Sequence, residues 1–110
     1  MKGQELAQSR PSDTTAVSVL SPDGNEVIHI TQIIVSNTTT SDAKWSIFKD
    51  EDGTTYDKTT SHFTDILLPA NSTDIIEYNA WMNDNSGNFA VKSDPGDAIT
   101  FTIDGELLIK

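Results

Sequence analysis

The chain has 110 residues, 35% of them hydrophobic, and carries a formal net charge of −10. That length holds one domain, which at this size buries very roughly two-thirds of its unfolded surface. There is no cysteine, which excludes disulfides and thiolate metal sites, and a body of this charge repels nucleic acid.

No apolar run approaches the roughly 18 residues of a membrane span. The opening Met1 to Pro11 lacks the apolar core of a signal peptide, so a soluble protein with no membrane partner is expected. Val, Leu, Ile and Phe make up about 24% of the residues, above the roughly 20% below which charged chains stay disordered. A thin two-sheet core, completed in part by neighbouring subunits, fits this composition.

Residues 1–14 form a polar arm in which Lys2 and Arg10 balance Glu5 and Asp13, leaving the whole −10 on residues 15–110. The Arg10 to Pro11 step is incompatible with a helix, and the arm is expected either to be disordered or to lie across a partner. The 15–110 domain opens with a strand over Thr15 to Leu20, stopped by Ser21, Pro22, Asp23, Gly24 and Asn25, a turn by composition. Next comes a run dense in β-branched residues from Val27 to Val35, which favours a strand. Its alternation shifts parity between Ile30 and Ile33, predicting a bulge near Thr31 or Gln32.

Beyond the turn-forming stretch Asn37 to Asp42, a strand from about Ala43 puts Trp45 and Ile47 on one face and Lys44, Ser46 and Phe48 on the other. Further strands are predicted at Phe63 to Leu68, Thr73 to Asn79, Phe89 to Lys92, Ala98 to Ile103 and Glu106 to Lys110, with turns at Asp50 to Gly53, Pro69 to Ser72 and Asp94 to Asp97. Residues 80 to 88 read as a loop. Seven or eight strands with turn signals about every ten residues predict an all-β antiparallel sandwich, of jelly-roll or immunoglobulin-like topology.

Reactive chemistry is sparse. No Gly-rich phosphate loop or nucleophile elbow occurs, and His29 and His62 have no cysteine to make a zinc site with; no enzyme, cofactor or metal is expected. Two acidic loops, one with Asp50, Asp52 and Asp57 and one with Asn83, Asp84, Asn85 and Asn88, contain oxygens of the kind calcium takes, but turn chemistry accounts for both. Trp81 and Met82 are large apolar residues in a polar setting, which implies a covering surface from the same chain or from another. A carbohydrate-binding module is the alternative of another class, and it needs an aromatic face or a calcium site.

Leu6, Ala7, Gln8, Ser9, Arg10 and Pro11 ahead of the first strand resemble the pattern of small virion proteins of tailed bacteriophages. So do Ile33 to Thr38, the turn Asp52 to Tyr56, the segment Leu67 to Thr73 and the closing Ile99 to Gly105. The resemblance implies a non-enzymatic virion structural protein, most simply a capsid decoration or cement protein bound to the major capsid protein. A neck, tail or fibre-attachment protein is the runner-up. Beside the resemblance, a body at −10 is a poor neighbour to packaged DNA, so a place on the outer surface of the particle is expected, as a homotrimer whose avidity strengthens modest contacts, assembled in the host cytoplasm. On this reading Leu6, Arg10 and Pro11 tether the chain to its partner, and Trp81 and Met82 offer a second contact.

Overall fold

The structure, a computed structural model, describes residues 4–83 and 86–109. Eight strands follow one another: β1 (Gln4–Ser9), β2 (Val17–Leu20), β3 (Glu26–Asn37), β4 (Ala43–Asp50), β5 (Ser61–Leu68), β6 (Thr73–Met82), β7 (Asn88–Asp94) and β8 (Ile99–Ile109). They form two four-stranded antiparallel sheets, ordered β1-β8-β3-β6 and β2-β7-β4-β5. Every connection except the β4–β5 hairpin crosses from one sheet to the other. This wrapped double Greek key is a jelly roll, and the seven-stranded immunoglobulin arrangement, the other topology expected, does not fit its strand order.

The sheets meet over side chains from the central strands, among them Ile30, Ile33 and Val35 of β3, Trp45 and Ile47 of β4, Phe89 of β7, and Phe101 and Ile103 of β8. Alternation places them: on β4, Trp45 and Ile47 point inward, while Phe48 lies on the outer face. There the β4–β5 loop covers it with Tyr56, ring centroids 6.1 Å apart. Asn37, at the end of β3, is 1% exposed. Its amide donates to the carbonyls of Ser41, Leu68 and Pro69, and its side-chain oxygen accepts from the Thr39 N–H and hydroxyl, joining three chain segments at one buried point.

The predicted bulge is present. Against β8 the register shifts between Ile30 and Gln32, leaving Thr31 as the extra residue, and the inward set changes from Ile28 and Ile30 to Ile33 and Val35. The β3–β6 register shifts at the same place. Opposite it lies Gly105, where a Cβ would sit 2.0 Å from the His29 carbonyl oxygen.

Three expectations change. Residues 4–9 do not form a free arm but strand β1, paired with β8 from Gln4 opposite Gly105 to Ser9 opposite Phe101. The segment has little strand propensity of its own; pairing satisfies backbone groups that β8 would otherwise leave at an open edge. Strand β6 runs on to Met82, through what reads as a loop. The two predicted C-terminal strands are one, because Asp104–Gly105 continues the ladder instead of turning.

Candidate functional site

The outer face of the β1-β8-β3-β6 sheet holds the most elaborated surface. His29 and Trp81 pair across β3 and β6, and their rings stack with centroids 3.9 Å apart and planes 1° apart. The imidazole is fixed from the side by a 2.5 Å hydrogen bond between Nε2 and the Asn79 Oδ1. Trp81 is 50% exposed; with one ring face against His29, the other faces solvent.

Beside this stack the double register shift opens a hollow of about 520 Å³ lined by Thr31, Gln32, Glu77, Tyr78 and Asn79. Bulges re-aim side chains in this way. The Gln32 amide donates to Asp104 Oδ2 at 3.2 Å, and the Thr31 hydroxyl donates to the Asp104 carbonyl at 3.3 Å. The Glu77 carboxylate, the Gln32 Oε1 and the Asn79 Nδ2 make no hydrogen bond within the chain among the described residues.

The five residues singled out from sequence do not share a site. Trp81 belongs to the face just described, whereas Met82, next in β6, turns inward and is 2% exposed in the core. At the opposite edge of the same sheet, Leu6 packs partly against the core. Arg10 ends β1 as a staple: its Nε meets Asp97 Oδ1 at 3.0 Å, Nη2 donates to the Asp97 carbonyl at 2.8 Å, and Nη1 donates to the Thr38 and Thr100 hydroxyls. Pro11 is buried and its carbonyl accepts from the Asp97 N–H at 2.7 Å. Gln32, Glu77 and Asn79 carry no motif, and the only sequence signal for their hollow is the parity shift in β3.

In the first acidic loop the carboxylates serve turns. Asp50 accepts from the Thr55 N–H at 2.9 Å and the Asp52 N–H at 3.2 Å, and these donors hold its carboxyl below the usual range. Asp57 is lowered likewise by the hydroxyl and N–H of Thr59. In the second loop, Asp84 and Asn85 lie outside the described residues, and Asn88 donates to the Gly53 and Ser86 carbonyls. No grouping of three His, Cys, Asp or Glu suited to a metal occurs among the described residues.

At the β5–β6 edge, His62 Nδ1 is hydrogen-bonded to the Tyr78 hydroxyl. Burial, then the Lys49 charge, lower the His62 pKa, and burial raises that of Tyr78. Both shifts favour the uncharged forms, a neutral imidazole bonded to a protonated phenol.

No protein-family model matches the sequence, and no curated protein matches it either. Solved structures do. A chain in the structure of infectious bursal disease virus, Gx strain, superposes with a TM-score of 0.52 at 10% identity, covering 97% of this chain and 29% of that one. A chain in the crystal structure of the T13 particle of the same virus gives a TM-score of 0.54 at 10% identity, covering 96% and 30%. The likeness is one of fold, to proteins of a virus particle. This chain spans less than a third of the length of either viral protein. The coat protein of tobacco streak virus is more remote, with a TM-score of 0.46 at 8% identity over 94% of this chain and 82% of that one.

Proposed function

We propose that the protein is a non-enzymatic virion structural component, and that it decorates the outer shell of a tailed-phage capsid as a cement protein. One observation carries this reading: the β1-β8-β3-β6 and β2-β7-β4-β5 strand order forms a jelly roll that superposes on infectious bursal disease virus particle chains with TM-scores of 0.52 and 0.54. Its tailed-phage character rests on the sequence resemblance, and an outward position on charge, because a body at −10 is a poor neighbour to packaged DNA.

The particle-facing edge in this proposal is the β1 side, with Leu6 and the Arg10–Pro11 corner. Self-association into a trimer would cover Leu67 and Ile75, 55% and 65% exposed on either side of the Pro69–Ser72 turn. Multivalent attachment then lets modest contacts per subunit hold firmly. Quantitative mass spectrometry of purified particles tests the reading. Hundreds of copies per particle support a shell component, a dozen or fewer support the neck, tail or fibre alternative, and absence from particles refutes both.

A further inference from the structure

We propose that the outer face of β3 and β6 binds a neutral oligosaccharide, one sugar ring stacking on Trp81 and the next seated in the adjoining hollow. The inference stands apart from the virion reading and draws only on this face. A pyranose has an apolar C–H face and a rim of hydroxyls that both donate and accept, so its site combines an open aromatic plane with uncommitted planar polar groups. Both are present. Trp81 is half-exposed and held rigid from behind by His29, itself fixed by Asn79, so little side-chain entropy remains to be lost on stacking.

Asn79 lies two residues from Trp81 on the same face of β6, roughly 7 Å along the strand, and it lines the hollow. Among the described residues its Nδ2, the Gln32 Oε1 and the Glu77 carboxylate have no partner within the chain, which leaves one donor and two kinds of acceptor to a ligand. The hollow, of about 520 Å³, is open to solvent, a shallow seat beside Trp81.

The mix of donors and acceptors decides between a sugar and the other ligand that stacks on tryptophan, a cationic side chain. Among the described residues that line the hollow Glu77 is the only carboxylate, and Asp104 beside it already accepts from Gln32. An arginine, which only donates, would find acceptors in Glu77 and the Gln32 Oε1 but leave the Asn79 Nδ2 donor unused, whereas a sugar hydroxyl both donates and accepts. Anionic sugars are disfavoured by Glu77 and by the overall charge of −10.

The test is two-dimensional amide NMR of the full chain titrated with neutral tetrasaccharides: β-linked glucose, β-linked galactose, β-linked N-acetylglucosamine and α-linked glucose. Tetra-arginine serves as the cationic probe. The expected result is a saturable shift of the Trp81 indole N–H and of the Asn79 and Gln32 side-chain amides with at least one sugar, with a midpoint in the millimolar range. Trp81→Ala should weaken it at least tenfold, and Glu77→Ala, a substitution at an exposed position, should weaken it without disturbing the spectrum elsewhere. No shift with any of the four sugars, a shift that survives both substitutions, or a response to tetra-arginine alone overturns the proposal.

Discussion

Replacing Gly105 by alanine should be among the most damaging single-methyl changes this chain can undergo. The added Cβ would lie 2.0 Å from the His29 carbonyl oxygen and 3.0 Å from both the His29 carbonyl carbon and Ile30 Cα. All three are backbone atoms of the neighbouring central strand, so no rotamer change relieves the clash; β3 and β8 must part by more than about 1 Å. Overpacking of this kind costs about 1–3 kcal/mol. Weakening the ladder bonds beside the Ile30–Gly105 pair adds about 1 kcal/mol for each bond lost. A total near 3–5 kcal/mol is a large share of the roughly 5–15 kcal/mol that holds a domain together. Urea unfolding measures it: Gly105→Ala should lower the midpoint sharply with an unchanged slope. Gly53→Ala is the milder comparison: its Cβ would meet no backbone, only the Asp50 carboxylate at 3.1 Å, which need shift by a few tenths of an ångström against its bonds to the Thr55 and Asp52 N–H groups, and it should cost about 1 kcal/mol. A Gly105→Ala protein within about 1 kcal/mol of the parent would refute the reasoning and show that the two strands separate freely at the bulge.

Asn37→Ala should destabilise by about 2–4 kcal/mol in the same assay, because it strands the Ser41, Leu68 and Pro69 carbonyls and the Thr39 N–H around a buried site. Arg10→Ala should cost about 1 kcal/mol, modest because its partner Asp97 is exposed, and should speed hydrogen exchange of the β1 amides relative to β3. Arg10→Lys should not restore that protection, since an ammonium cannot reproduce the guanidinium fork. Acid should destabilise the fold in two windows. The folded pKa of His62 is lowered from 6.5, so its contribution is complete above pH 6.5 and is lost as pH falls through the lower folded value; those of Asp50 and Asp57 are lowered from 3.8, so their contribution is complete above that and fades below it. Urea midpoints from pH 7 to 5 should fall less in His62→Gln than in the parent, and those from pH 4 downward should fall less in Asp50→Asn.

Much of the sandwich is legible in the sequence because β-branched and aromatic residues alternate within it. Ile28 and Ile30, followed by Ile33 and Val35, announce both a strand and the irregularity inside it. The misread elements are those where a neighbour overrides local preference. Gln4 to Ser9 has no β-branched residue and becomes β1 because β8 has an open edge to fill. Asp104–Gly105 has the composition of a turn, yet the glycine is there to let the His29 carbonyl pass, which only the three-dimensional pairing reveals. Trp81 and Met82 continue the alternation of β6, one outward and one inward, but the polar residues after them hide it. The hollow was the least readable part, since Gln32, Glu77 and Asn79 come from two strands and are gathered only by the shift in register.

Because β1 pairs with β8, the first strand of the sandwich to leave the ribosome must wait for the sandwich's last. At ordinary rates of synthesis that is several seconds during which one edge of the sheet cannot be completed. Sheet closure therefore comes only after the rest of the sandwich has been made, and the high sequence separation of its pairings places it among slowly folding topologies. Nascent copies crowded on one message would each display the unfilled β8 edge as it emerges, and a β1 segment from an adjacent copy could fill it as well as the chain's own. The same pairing that finishes the monomer thus offers a ready route to strand exchange between copies.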